Sequence, residues 1–172
     1  MATFFEKLHD RLISELEYDR ADMDRELNVW IEKNGDGKES LCRFYRSALE
    51  SGELHFSGER FAKLEQNPQL RSVYLVMFEL YLKADWDWTP TTKKLNELNM
   101  REASNSRLKM KMEIIPPGRC NYGDEFDGRQ YDLETSLKEF PLDYGKCERK
   151  GGCACTVGFE AIRDENGRLI HK

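Results

Sequence analysis

Apolar positions in the first hundred residues follow helical spacing. Over residues 5–30 they recur at steps of three, four and seven, which predicts one long amphipathic helix ended by Asn34-Gly35-Asp36-Gly37. The later stretches predict a helix that stops at Gly52, a short helix capped by Ser57, a central hydrophobic helix opened by Asn67-Pro68, and a helix from Thr89-Pro90 to about Ser106. The sequence therefore predicts an N-terminal helical bundle.

The period of the pattern changes near Arg107. Leu108, Met110, Met112 and Ile114 alternate with polar side chains, which predicts a half-buried strand. A second alternating run, residues 155–161, leads to Asn-Gly at 166–167, a pair that favours a hairpin turn because both residues tolerate positive φ. We predict an α+β chain: a helical domain over residues 1–107 and a small cysteine-rich β-hairpin subdomain over residues 108–172.

Four of the five cysteines lie in that second region, at Cys120, Cys147, Cys153 and Cys155, and only Cys42 lies elsewhere. Four thiols in one loop-rich stretch match a tetrahedral Zn²⁺ site. Such a site contributes on the order of 10 kcal/mol in small peptides, which decides whether a short polar segment folds. We predict a structural Zn²⁺ held by these four cysteines. Four ordinary thiols and disulfides remain the alternatives.

Composition and charge disfavour several classes of function for this chain. The formal net charge is −5 and there is no run of basic residues, which disfavours nucleic-acid binding through phosphate neutralisation. The first residues enter a charged amphipathic pattern, and no apolar run approaches the roughly 20 residues needed to span a bilayer. We therefore expect no signal peptide, no membrane segment and a cytoplasmic location, where clustered cysteines bind metal more often than they form disulfides.

Two other groups of residues invite a functional interpretation. Trp86 and Trp88 alternate with aspartates, which is compatible with an exposed protein-binding anchor or with caps on the helical core. Asp124, Glu125 and Asp127 could act as acid/base carboxylates, but a solvated turn is the simpler interpretation. The sequence shows no Ser/His/Asp or Cys/His set and no glycine-rich phosphate loop, so we predict a protein that is not an enzyme.

The sequence around the cysteines resembles that of a known protein family. It consists of Cys120-Asn-Tyr-Gly-Asp-Glu-Phe-Asp-Gly-Arg-Gln-Tyr-Asp-Leu, then a proline-containing loop, then Cys153-Ala-Cys155-Thr-Val. This stretch, about residues 100–160, resembles the C-terminal region of phage Mu-type minor head (head-morphogenesis) proteins. It departs from them at residues 121–123, which lack a second cysteine. It departs again at Cys147, which stands where a histidine and proline usually precede the closing cysteines.

The resemblance implies a minor head component that associates with portal or capsid proteins during head assembly, in the host cytoplasm or the virion. In it, Asp127, Gly128 and Tyr131 would shape the loop between the metal ligands. The alternative is a small cytoplasmic zinc-stabilised module that binds one protein partner, for example as an inhibitor of a host system. A nuclease built on a zinc knuckle is a third class, and the sequence offers it neither a general base nor a basic groove.

Overall fold

The protein is α+β in the computed structural model, which describes residues 3–64, 66–118 and 120–172. These ranges contain eight α-helices and one three-stranded antiparallel sheet. The helices are α1 Phe4–Glu15, α2 Arg20–Asn34, α3 Lys38–Phe56, α4 Glu59–Ala62, α5 Pro68–Ala84, α6 Thr89–Ser104, α7 Asn121–Asp124 and α8 Leu133–Lys138. The strands are β1 Met110–Ile115, β2 Gln130–Asp132 and β3 Thr156–Ala161. None of the helices in these ranges combines the length and the apolarity needed to cross a bilayer.

The long N-terminal helix predicted from periodicity is in fact two helices. Between α1 and α2, Glu17 has a φ of 58°, a left-handed conformation that a right-handed helix cannot continue through. Asp19 then caps α2 by accepting the Asp22 N–H at 2.9 Å. Leu16 and Met23 on either side of the turn are both buried, so the apolar spacing continues although the helix does not. The prediction of one helix was therefore wrong.

Gly52 does not end the second predicted helix, because α3 continues through it to Phe56. The Tyr18 hydroxyl lies against this glycine, and a Cβ here would be 3.0 Å from the Tyr18 oxygen. That hydroxyl also donates a hydrogen bond to the Ala48 carbonyl at 2.5 Å. The glycine therefore marks a close approach between two segments rather than a helix end. Ser57 likewise does not cap the next helix, since Gly58 occupies the N-cap of α4.

The predicted central helix is confirmed as α5. The Asn67 side chain caps it by accepting the Leu70 N–H at 3.0 Å, and Pro68 occupies the first turn. One face of α5 is buried along its length, through Leu70, Val73, Tyr74, Val76, Met77 and Leu80.

The predicted strands are confirmed at the centre and at one edge of the sheet, which has the order β2-β1-β3. Met112 and Ile114 of β1 are buried, as their alternation indicated. Strand β3 pairs with β1 in an antiparallel register that sets Met112 opposite Phe159. Strand β2 was not predicted, since three residues are too few to show an alternating pattern.

The contacts divide the chain into two compact units, Met1–Trp86 and Asp87–Lys172. Helix α6 lies in the second unit together with the sheet, whereas the sequence analysis assigned it to the helical domain and put the boundary at residue 107. Helical periodicity reports the local conformation of a segment and not the surface against which it packs. The position of α6 matters because this helix supports the cysteines.

Candidate metal centre

The four C-terminal cysteines lie in the core of the second unit. Cys120, Cys153 and Cys155 are only 4%, 0% and 1% exposed, and Cys147 packs against the same cluster while half-buried. All are free thiols. The sulfurs of Cys120 and Cys147 are 3.6 Å apart. A disulfide needs about 2.05 Å, whereas two sulfurs at about 2.3 Å from a tetrahedral zinc are about 3.8 Å apart. This pair is therefore not a disulfide, and its spacing suits a thiol–thiol hydrogen bond as well as two ligands of one zinc.

The start of α7 positions Cys120. Its sulfur stands at the N-cap and accepts the Gly123 N–H at 3.3 Å. Gly123 is buried directly beneath the sulfurs: a Cβ built on it would lie 2.9 Å from the sulfur of Cys155 and 3.1 Å from that of Cys120. The absence of a side chain at Gly123 therefore allows these two sulfurs, from separate segments of the second unit, to lie close to the same point.

Two glycines and the N-terminal end of α6 position Cys153. Gly151 and Gly152 have φ values of 88° and 114°, which residues with a Cβ rarely adopt. The Gly151 carbonyl accepts the Trp88 N–H at 3.0 Å, and the Cys153 N–H donates to the Thr89 hydroxyl at 2.8 Å. The glycine pair lies against the first turn of α6 and positions Cys153 from there.

The side chain of Asn96, in the middle of α6, holds Cys155. Its amide group donates to the Cys155 carbonyl at 2.8 Å and to the Tyr144 hydroxyl at 2.9 Å. Burial raises the pKa of Tyr144, so this hydroxyl stays neutral as a hydrogen-bonding group. Sequence reasoning missed Asn96. No sequence signal marks it, because Thr92 and Asn96 read as ordinary polar helix positions and their burial appears only in the structure.

The thiols influence one another's ionisation. A hydrogen bond from Cys155 lowers the pKa of Cys153. The same hydrogen bond raises the pKa of Cys155, and burial raises that of Cys147. Ionisation of Cys153 therefore disfavours ionisation of its neighbours. A divalent cation would reverse this, because each thiolate bound to it is stabilised by its charge.

The fit of these residues to zinc is partial. Across the described ranges, no group of three or more His, Cys, Asp or Glu side chains meets the geometry of a metal-binding group. The donor set nevertheless suits zinc, which prefers thiolate sulfur. If all four sulfurs bound one ion they would fill its tetrahedral shell, leaving no position for a catalytic water. These residues could therefore hold a structural zinc but not a catalytic one.

The two tryptophans predicted as partner anchors differ in their surroundings. Trp88 is only 7% exposed, and an added Cβ on Gly151 would collide with its ring. Trp88 is thus buried in the second unit against Gly151, and it is not an exposed side chain. Trp86 is half-buried, with its ring 5.4 Å from that of Tyr81 and 5.5 Å from the Arg46 guanidinium. A partner-binding role for Trp86 remains a prediction.

The carboxylates after Cys120 lie on the surface. Asp124, Glu125 and Asp127 are exposed in a turn that ends at Gly128, whose φ is 70°. That arrangement matches the solvated-turn interpretation. Tyr131, which follows in β2, packs against the cysteine-containing core.

Comparisons with known proteins add no assignment. No family model, no curated protein and no solved structure matches this chain.

Proposed function

We propose that the chain is a non-enzymatic binding or assembly protein whose second unit is stabilised by one structural Zn²⁺. The ligands of this zinc are Cys120, Cys147, Cys153 and Cys155. The observation that carries the proposal is the convergence of these four thiols, from three separate loops, on one buried core. Four sulfur ligands saturate zinc, so the ion supplies stability rather than chemistry.

The proposed assembly role rests in addition on the resemblance of residues 100–160 to phage minor head proteins. Its supporting observation is that the residues of the shared pattern pack together. Leu133 and Val157 are buried in the same core as the cysteines, and Tyr131 packs against it. The pattern thus corresponds to one structural unit rather than to scattered surface residues. On this proposal the partner is a portal or capsid protein.

Metal analysis of the natively purified chain tests the zinc. We expect about one zinc per chain by native mass spectrometry, and loss of that zinc in Cys153→Ser. Cys42→Ala is the matched control, because Cys42 is equally buried but lies in the first unit. In Cys153→Ser, limited proteolysis should cut the second unit first. Zinc-free native protein, or equal metal loss in Cys42→Ala, would contradict the proposal.

Co-expression with candidate head proteins tests the assembly role. Co-purification with a portal or capsid protein is the expected result. A tight one-to-one complex with an unrelated protein would instead favour the small inhibitor or binding module. Metal-dependent cleavage of a nucleic acid would contradict both.

A further inference from the structure

The first unit contains an open groove between α2 and α3 that the zinc proposal does not use. It has a volume of about 990 Å³. Its lining begins beside the α1–α2 turn and follows α2 from Asp19 to Asn34. At about 1.5 Å per residue, that is roughly 22 Å, or four helical turns. The groove is therefore long as well as large.

Small and apolar side chains form the floor of the groove. Ser47, Ala48, Ser51 and Gly52 line it along α3, and their short side chains leave space between α2 and α3. Phe44 and Phe56 line it as well but are themselves buried, whereas Val29 of α2 is 43% exposed. A long groove with apolar side chains on its floor matches the way amphipathic helices are bound in grooves.

The charges around the groove are unequal. Four carboxylates line it, from Glu17, Asp19, Asp22 and Glu26, against the side chains of Arg25 and Lys33 and the imidazole of His55. Arg25 is already bonded to Asp22 at 2.6 Å, so it offsets that carboxylate rather than the others. The lining therefore attracts cations, most strongly near the α1–α2 turn.

We propose that this groove binds an amphipathic helix of a partner protein that carries Lys or Arg beside its apolar face. The apolar stripe would lie on the floor, and the basic residues would meet Glu17 and Glu26. Four turns of groove accommodate anchors at positions i, i+3 or i+4, and i+7 of such a helix. This inference rests on the proposed protein-binding role but not on the zinc, because the groove lies entirely within the first unit.

A labelled peptide titrated against the full chain tests the groove. The probe is a peptide of about 15 residues, the length of the groove, with leucines at helical spacing and lysines elsewhere. Fluorescence anisotropy should show saturable one-to-one binding that weakens with salt. A scrambled peptide of the same composition, and one with glutamate in place of lysine, should bind at least about tenfold more weakly.

Matched substitutions locate the binding. Ser51→Trp fills the groove and should weaken binding by about tenfold or more, whereas Ser14→Trp, on an exposed position of α1 outside the groove, should not. Glu26→Gln should weaken binding several-fold and reduce its salt dependence, whereas Glu32→Gln on the same helix should change neither. Serine and tryptophan have similar helix propensities, so each tryptophan variant should fold.

Several results would overturn the proposal. Equal binding of the scrambled peptide, or equal effects of Ser51→Trp and Ser14→Trp, would show adsorption to an acidic surface. Self-association of the free chain that Ser51→Trp abolishes would show that a second copy occupies the groove. Metal content separates this proposal from the zinc site: Cys153→Ser should lose zinc and keep peptide binding, and Ser51→Trp should do the reverse.

Discussion

An alanine at Gly123 would place a methyl group between two of the sulfurs. Its Cβ would lie 2.9 Å from the sulfur of Cys155, 3.1 Å from that of Cys120 and 3.2 Å from the Pro116 Cβ. The first distance is shorter than real side chains tolerate, and both sulfurs belong to the packed interior. Overfilling a core in this way costs about 1–3 kcal/mol. The sulfurs would also be pushed apart, which should weaken metal binding.

The higher helix propensity of alanine partly offsets this cost. Gly123 lies in α7, and alanine is favoured over glycine inside a helix by up to about 1 kcal/mol. Subtracted from the mid-range overpacking cost of about 2 kcal/mol, this leaves a net destabilisation of the second unit of about 1–2 kcal/mol. In a unit of this size, that lowers the melting temperature by about 4–16 °C.

Calorimetry and zinc titration of Gly123→Ala measure both effects. Gly145→Ala is the matched control in the same unit: Gly145 is exposed, and its new Cβ would meet only the Asp143 carboxylate, at 3.3 Å. We expect the control to melt within about 2 °C of the parent. A Gly123→Ala protein that is as stable as the parent, with unchanged zinc affinity, would refute the proposed convergence of the sulfurs.

Two further substitutions probe the residues that hold the cysteines. Asn96→Ala removes the donors to the Cys155 carbonyl and the Tyr144 hydroxyl. It should lower the free energy of unfolding, measured by denaturant titration, by about 2–4 kcal/mol. A loss below about 0.5 kcal/mol would show that these hydrogen bonds do not stabilise the unit. Gly151→Ala combines a φ of 88° with a collision against the Trp88 ring, and should cost at least about 2 kcal/mol and shift tryptophan fluorescence. An unshifted emission spectrum would contradict the packing of Trp88.

Local sequence patterns predicted the elements that depend on local chemistry. The cap and proline at the start of α5, the alternation of β1 and the glycine after α2 all appear in the structure. The break between α1 and α2 escaped prediction, because Leu16 and Met23 keep the apolar spacing on either side of it. Gly52 was wrongly predicted to end a helix, because the small residue at this position is explained by a contact with Tyr18, which is distant in the sequence.

For the candidate site, spacing and residue type selected the four cysteines, and their common burial agrees with that selection. The supports could not be predicted in the same way. Asn96 precedes Cys155 by 59 residues, and the contact of Trp88 with Gly151 depends on how α6 packs. Such pairings are set by tertiary structure, which periodicity does not encode. For this reason the sequence left open whether Trp88 is an exposed anchor or a buried residue.

X-ray absorption at the zinc edge of the natively purified protein tests the central claim most directly, because it counts and identifies the atoms bound to the ion. We expect one zinc per chain surrounded by four sulfurs at about 2.3 Å, with no nitrogen or oxygen ligand. A protein that carries no zinc, or a zinc whose shell contains water or fewer than four sulfurs, would contradict the proposal that Cys120, Cys147, Cys153 and Cys155 hold one structural ion.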